Sequence, residues 1–247
     1  MTYVMSDIHG CYDQYLELLD LIGFSDSDDL FVLGDVVDRG KKPIEVLQDM
    51  SMRANVFPIV GNHEFAAIAI LKQILGKARF VVSEESLEEL INEDSVREGM
   101  VNLLEDISLW WEDGGGPTMD GFGKLPLEVK EDIIVYLEEF SLYETVNVGG
   151  KNYVLAHAGV PEGAALDNLS GYDAFDFVLA ETDYGKVRFE DAILVTGHIP
   201  VRNGKVWRGN NHIRIDTGCV FGGNLCCVCL DTGEEFYVKG ALPLGEL

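Results

Sequence analysis

Three times within the first 65 residues, a short apolar run ends in a polar turn bearing glycine, and helical spacing follows. The runs are Thr2–Met5, Leu30–Leu33 and Val56–Val60. Each reads as a buried strand, because four or five consecutive apolar residues bounded by turn signals suit a strand covered on both faces. Between the first two, Tyr12, Tyr15, Leu16, Leu19 and Ile22 recur at helical spacing before Gly23. Between the second and third, Pro43 opens a helix carried by Ile44, Val46, Leu47 and Met50. Strand, helix and strand in this order predict an α/β sheet whose ligands gather at the carboxyl ends of the strands.

Those ends carry the reactive side chains. The first turn is Ser6-Asp7-Ile8-His9-Gly10, with a carboxylate and an imidazole two positions apart, a spacing that lets both converge on one cation. Next comes Gly34-Asp35-Val36-Val37-Asp38-Arg39-Gly40, with two carboxylates and a guanidinium between two glycines. A carboxylate there can bind metal, a second can orient a neighbour, and the arginine can grip an oxyanion with two parallel hydrogen bonds. The third is Gly61-Asn62-His63-Glu64.

From about residue 76 to 142 the pattern is mostly helical, acidic and free of histidine. Ser86-Leu87-Glu88-Glu89 has capping-box spacing, and Leu127–Phe140 reads as a helix. Trp110 to Thr118 interrupts the helical pattern with Gly114-Gly115-Gly116. Such a subregion either covers a sheet edge or forms a lid that shapes access to a site. Strand signals then dominate: Tyr143–Val148 and Asn152–Ala156 around a Gly149-Gly150 turn, then Ile193–Thr196, His212–Asp216 and Leu225–Leu230. The chain is read as one domain over 1–247, a β-sandwich of two sheets flanked by helices with a helical subregion inserted.

The net charge of −25 disfavours nucleic-acid polymers and anionic membranes, which both call for clustered Lys and Arg. An anionic substrate must then be drawn by local positive charge, and bound cations are a ready source. No apolar run approaches the roughly 18 residues of a membrane span, and Met1–Asp7 lacks a signal-peptide pattern, so the expected compartment is the cytoplasm. Five cysteines, three of them within Cys226–Cys229, do not form a disulfide framework and read as buried reduced thiols.

Of five histidines, His9, His63, His157 and His198 directly follow a predicted strand beside Gly, Asp or Asn, whereas His212 sits inside one and is read as structural. In order, the motifs are D-x-H, G-D-x-x-D-R-G, G-N-H-E, H-A-G and G-H. This set resembles the metal-dependent phosphoprotein phosphatase family of the calcineurin-like metallophosphoesterases, over about residues 3 to 230. The short bacterial and phage serine/threonine phosphatases are nearest in pattern, with the symmetrical diadenosine tetraphosphate hydrolases close by. Trp111, Gly114-Gly115 and Thr118 are similar to the bacterial subgroup.

The resemblance implies a metallophosphoesterase-type α/β sandwich of two mixed sheets and a pair of divalent ions, with manganese preferred and iron or zinc possible. It places Asp7 and His9 on the first ion, Asp35 between both, and Asn62, His157 and His198 on the second. Two such ions about 3.5–4 Å apart can hold a hydroxide and clamp phosphate oxygens for in-line attack. The resemblance makes His63 the proton donor to the leaving oxygen, with Asp38 holding its imidazole, and Arg39, Asn62 and His63 the phosphate contacts. The expected substrates are phosphoserine or phosphothreonine in a protein. Diadenosine tetraphosphate cleaved symmetrically, or another phosphorylated small molecule, is the alternative, and a non-catalytic metal- or phosphate-binding module stands behind both. The pattern departs from the family at Ser6, where glycine is usual, and at Ala180, where a second phosphate-binding arginine is expected. Lys186 and Arg188 are the nearby candidates to replace that arginine.

Overall fold

The computed structural model describes residues 1–80, 94–180, 182–183 and 185–240, with the side chains of 77–80 and 94–100 outside the description. The three predicted N-terminal units are present. Strand β1 (Thr2–Met5) leads to α1 (Tyr12–Ile22), β2 (Asp29–Leu33) to α2 (Pro43–Ser51), and β3 (Val56–Ile59) to α3 (Asn62–Phe80). Gly23 closes α1 in the left-handed conformation, with φ of 62°, and its N–H satisfies the carbonyl of Asp20.

The helical region contains α4 (Asp94–Trp110), a π-helical turn over Trp111–Gly115, α5 (Gly116–Gly123) and α6 (Leu127–Glu138). The expected interruption at the glycine run is therefore a kink followed directly by a new helix. Pro117 sits in the first turn of α5, where its missing N–H costs nothing, so Gly116-Pro117 starts a helix instead of a loop. The capping-box segment Ser86–Glu89 lies outside the described residues.

The second half supplies β4 (Tyr143–Val148), β5 (Lys151–Ala156), a short helical turn α7 (Phe175–Val178), β6 (Ala192–Thr196), β7 (Trp207–Gly209), β8 (His212–Arg214), β9 (Asn224–Cys229) and β10 (Glu235–Lys239). Strands β7 and β10 are absent from the sequence expectation. One is three residues long, and the other begins at Glu235 and ends at Lys239, too polar at its ends to stand out as an apolar run.

The two five-stranded sheets are both mixed, in the orders β10-β9-β1-β2-β3 and β4-β5-β6-β8-β7. In the first, β1, β2 and β3 run parallel, and β9 pairs antiparallel with β1. In the second, β5, β6 and β8 run parallel. Alternation along β9 explains the cysteines: Cys226 and Val228 enter the core between the sheets, while Cys227 and Cys229 face the helical layer. All five cysteines are buried and unpaired. Val4, Phe31, Leu33 and Ile59 meet Leu155, Val195 and Ile213 between the sheets. Burying an apolar side chain of this size contributes roughly 1.5–3 kcal/mol. On the other face of the first sheet, Tyr15, Leu18, Leu47, Met50 and Leu137 pack the helices against β1 and β2.

The function-relevant result is where the strands stop. β1, β2, β3, β5 and β6 end at Met5, Leu33, Ile59, Ala156 and Thr196, immediately before the five polar turns.

Candidate active site

The turns after these strands are strained. Among the described residues, left-handed backbone at non-glycine positions is found at Asp7, His9, Asp35, Asp38, Arg39 and His198, and at the Asn210-Asn211 turn, with φ between 43° and 69°. Six of those eight are residues that the sequence singles out for chemistry. Such conformations cost on the order of 1–3 kcal/mol each and persist only where the surroundings enforce them. Interstrand bonds do so here: Asp7 N–H donates to Gly34 O at 3.0 Å, His9 N–H to Asp35 O at 2.8 Å, and Gly10 N–H to Val36 O at 2.8 Å. Gly34 is needed for space as well as for its φ of 76°, since a Cβ there would lie 2.7 Å from His157 Nδ1 and 2.6 Å from Gly61 N.

Two sets of donor atoms converge on Asp35. His9, Asp35 and His63 form one set, and Asp35, His157 and His198 the other, the ligand atoms of each lying within 4.8 Å of one another. His9 Nδ1 donates to Val37 O at 2.8 Å and His157 Nδ1 to Leu33 O at 2.8 Å. Those bonds commit the Nδ1 protons and turn both Nε2 lone pairs inward, the tautomer a metal ligand requires. His9 Nε2 is 3.4 Å from Asp35 Oδ2, and His157 Nε2 is 3.4 Å from Asp35 Oδ1. Around His157 Nε2 lie Asn62 Oδ1 at 3.0 Å and His198 Nδ1 at 3.1 Å. Asp7 is held beside them, its carboxylate accepting the His198 N–H at 3.1 Å. The sequence-predicted ligands Asp7, His9, Asp35, Asn62, His157 and His198 are thus brought to one place.

The electrostatics fit cations. Burial, reinforced by the charges of Asp216 and Asp35, pushes the Asp7 carboxyl well up, and burial also raises Asp35. Burial pushes the His157 and His198 imidazoles down to about 4 and lowers His9 well below its ordinary value. Neutral imidazoles beside buried carboxylates that lack enough positive charge are a donor set suited to divalent transition ions, and the mixed N/O chemistry excludes a calcium-type oxygen cage.

A different histidine environment lies alongside. His63 Nδ1 donates to Asp38 Oδ2 at 2.7 Å, and neither side chain is exposed to any useful extent. Asp38 in turn accepts the Trp110 indole N–H at 2.7 Å and the Thr118 hydroxyl at 2.6 Å. Burial opposes the charged form of His63, but the bond to Asp38 and the charge of Asp35 outweigh it, and the imidazole is held above its usual pKa. Its Nε2 is buried, faces the site and has no hydrogen-bond partner among the described residues. Arg39 completes this side, its Nη1 donating to His9 Nε2 at 3.0 Å and its Nη2 to Asp113 Oδ1 at 3.0 Å.

Four further residues escaped the sequence reading. Glu64 is fully buried and accepts the N–H groups of Asp35, Val36, Val37 and Gly61 at 2.7–3.0 Å, so it folds the central turn. Asp216 is buried near Asp7, and burial pushes its carboxyl up to about 7. Trp110, and not Trp111, holds Asp38, while Trp111 is half exposed. Asp113 lies 3.6 Å from His63 Nε2 as well as on Arg39. The signal for Glu64 is in the G-N-H-E motif itself, whereas no spacing links residues 110 and 118 to residue 38. Near the expected position of the second arginine, Ala180 is half-buried, Glu181 lies outside the described residues, and Lys186 pairs with Asp183 at 3.5 Å. Arg188 places its charge near His212.

A sandwich of two mixed sheets with clustered histidine and carboxylate side chains on its strand-end turns is consistent with a metallophosphoesterase. Residues 2–227 match the model of the family described as calcineurin-like phosphoesterase, and the chain belongs to that family. It is accordingly a metal-dependent hydrolase of phosphoesters. It is 28% identical to an asymmetrical bis(5'-nucleosyl)-tetraphosphatase, PrpE of Bacillus subtilis, over all of this chain and 98% of that one. It is 25% identical to the symmetrical bis(5'-nucleosyl)-tetraphosphatase of Dechloromonas aromatica, over 98% of this chain and 99% of that one. A crystal structure described as a putative diadenosine tetraphosphatase superposes with a TM-score of 0.64 at 18% identity, covering 97% of this chain and 93% of the other, which shows the shared fold.

Proposed function

We propose that this chain hydrolyses dinucleoside tetraphosphates, using Asp7, His9, Asp35, Asn62, His157 and His198 to hold two divalent ions, with manganese preferred. The observation that supports the ligand assignment is the gathering of His9, His157 and His198 around Asp35, with the Nδ1 protons of His9 and His157 committed to backbone carbonyls, whereas His63, which also lies beside Asp35, has its Nδ1 on the Asp38 carboxylate. Bound there, the ions supply Lewis acidity and make water a competent nucleophile near neutral pH. Arg39 binds non-bridging phosphate oxygens, for which it exchanges its bonds to the exposed Asp113 carboxylate and to His9 Nε2, the nitrogen left free to hold an ion. Asn62 adds a hydrogen bond to the phosphate through its amide. His63, oriented by Asp38, gives its Nε2 proton to the departing oxygen. Full-length relatives that share the tetraphosphatase name support this substrate over the phosphoprotein expected from sequence.

The phosphoserine or phosphothreonine reading keeps one observation in its favour. A buried, carboxylate-held proton donor helps a poor alkoxide leaving group far more than a phosphate one. Five unpaired buried thiols suit a reducing compartment, and we place the enzyme in the cytoplasm as a single domain with a helical subregion. The test is product analysis after stripping metal and restoring manganese, with diadenosine tetraphosphate and a phosphoserine peptide offered at equal concentration. Nucleotide products establish the first reading, and phosphate from the peptide alone establishes the second.

A further inference from the structure

A carboxylate stands between Arg39 and His63. Asp113 Oδ1 accepts from Arg39 Nη2 at 3.0 Å, and Asp113 Oδ2 lies 3.6 Å from His63 Nε2. The Asp113 side chain is 59% exposed, so a phosphate can displace the carboxylate from the guanidinium. The backbone that carries it is tied down. Arg39 N–H donates to Gly114 O at 2.8 Å, and Arg39 Nε donates to Asp113 O at 3.4 Å. Gly114 forms the kink with φ of 103°, and a Cβ there would lie 2.6 Å from Arg39 Cγ, so the turn rests directly on the arginine. Released from its bond, the Asp113 carboxylate therefore stays close to any phosphate that Arg39 grips.

The same side chain divides two hollows. One, of about 390 Å³, runs between α3 and α4 and has Phe65, Ala69 and Leu109 among its walls. The other, of about 350 Å³, is lined by Arg39, Pro117 and Phe221 among others. Asp113 lines both. Among the described lining residues, Arg39 is the one cation, against the carboxylates of Asp106, Glu112 and Asp113. A phosphorus linked through oxygen on both sides can place one substituent in each hollow, whereas a monoester fills one alone. Charge separates the two kinds as well. A phosphate monoester carries nearly two negative charges at neutral pH, while a diester, or a bridging phosphate of a polyphosphate, carries one at its phosphorus. A tethered carboxylate repels the doubly charged group more, which is discrimination by an unfavourable contact.

We propose that Asp113 is a specificity-determining residue, selecting a phosphorus that is substituted on both sides and singly charged over the doubly charged group of a phosphomonoester. This rests on the dinucleoside tetraphosphate reading, whose bridging phosphates are of the selected kind, and adds the side chain that disfavours monoesters.

The test compares two chromogenic substrates with a common leaving group, 4-nitrophenyl phosphate and bis(4-nitrophenyl) phosphate, on the manganese-loaded protein. Asp113→Asn keeps an oxygen that can accept from Arg39 and removes the charge. It should raise kcat/KM for the monoester relative to the diester roughly tenfold, the size expected for one charge at a partly exposed site. Asp113→Glu should keep the parent ratio, because the charge stays. The gap between Asp113→Asn and the parent should narrow as salt rises, since an exposed charge is screened, whereas a purely structural role would not respond in this way. A ratio of two rates from one preparation does not depend on how much of a variant folds. An unchanged ratio in Asp113→Asn, or the same shift in Asp113→Glu, would overturn the proposal, and with diadenosine tetraphosphate still cleaved the dinucleoside reading stands. A parent that releases phosphate from a phosphoserine peptide and leaves diadenosine tetraphosphate intact would overturn both.

Discussion

Two histidine environments a few ångströms apart differ in nearly every property. His157 and His198 stand at the junction of the two sheets, where burial holds both down to about 4, with His157 bonded to a backbone carbonyl and the pair turned toward Asp35. His63 stands at the base of the helical region, bonded to a carboxylate and raised. The first environment favours the neutral imidazole and the second the charged one. Burial lowers both imidazoles of the first environment, whereas at His63 the Asp38 carboxylate on Nδ1 and the charge of Asp35 stabilise the imidazolium.

The comparison breaks most completely at the residue common to both sides. Asp35→Asn removes the charge that the two donor sets share, and metal-dependent turnover should fall by more than about a thousandfold, with loss of metal seen by elemental analysis. His63→Asn should keep its metal while turnover falls. The loss should be on the order of 10²–10⁴ for a serine phosphoester and much smaller for a tetraphosphate, whose leaving oxygen needs little protonation. Equal losses on both substrates would remove His63 from the role of acid.

Trp110→Phe sharpens the contrast from the helical side. It deletes one charge-assisted bond to Asp38, of about 1.5–3 kcal/mol, and should slow turnover roughly tenfold with metal content unchanged. The smallest effect on turnover is expected at His212, buried against Thr196 and outside both environments, where the change is in stability. Burial, then the charges of Arg214 and Arg188, lower its pKa to about 4, below the roughly 6.5 of an unfolded chain. The unfolded state therefore binds the extra proton between those values. Stability from this group is full above pH 6.5 and declines as pH falls toward 4, by at most about 3 kcal/mol. Denaturant titrations of His212→Gln across that range should show a shallower loss than the parent.

Particular residues show how much was legible beforehand. Asp7, His9, Asp35, Asn62, His157 and His198 could be picked out because each follows a strand at a position where local pattern alone predicts a turn. The second sheet was recognisable from β4, β5, β6, β8 and β9, while β7 and β10 lacked length or apolar ends. Trp110 and Thr118 were invisible as partners of Asp38. Their 72- and 80-residue separations from it leave no periodicity to read, and the bonds exist only because α4 and α5 fold back over the central turn.

The amino-acid order by itself determined the strand–turn–helix units and the reduced thiols and singled out the candidate ligand side chains, since those depend on local pattern and chemical type. Tertiary structure decided what each group can do. Left-handed backbone at Asp7, His9, Asp35, Asp38, Arg39 and His198 is locally unfavourable, so it arises only where interstrand bonds and the Glu64 carboxylate hold the turns. Likewise, the imidazole of His157 is lowered and that of His63 raised through neighbours that are distant in sequence, because a side chain's charge state follows its burial and contacts.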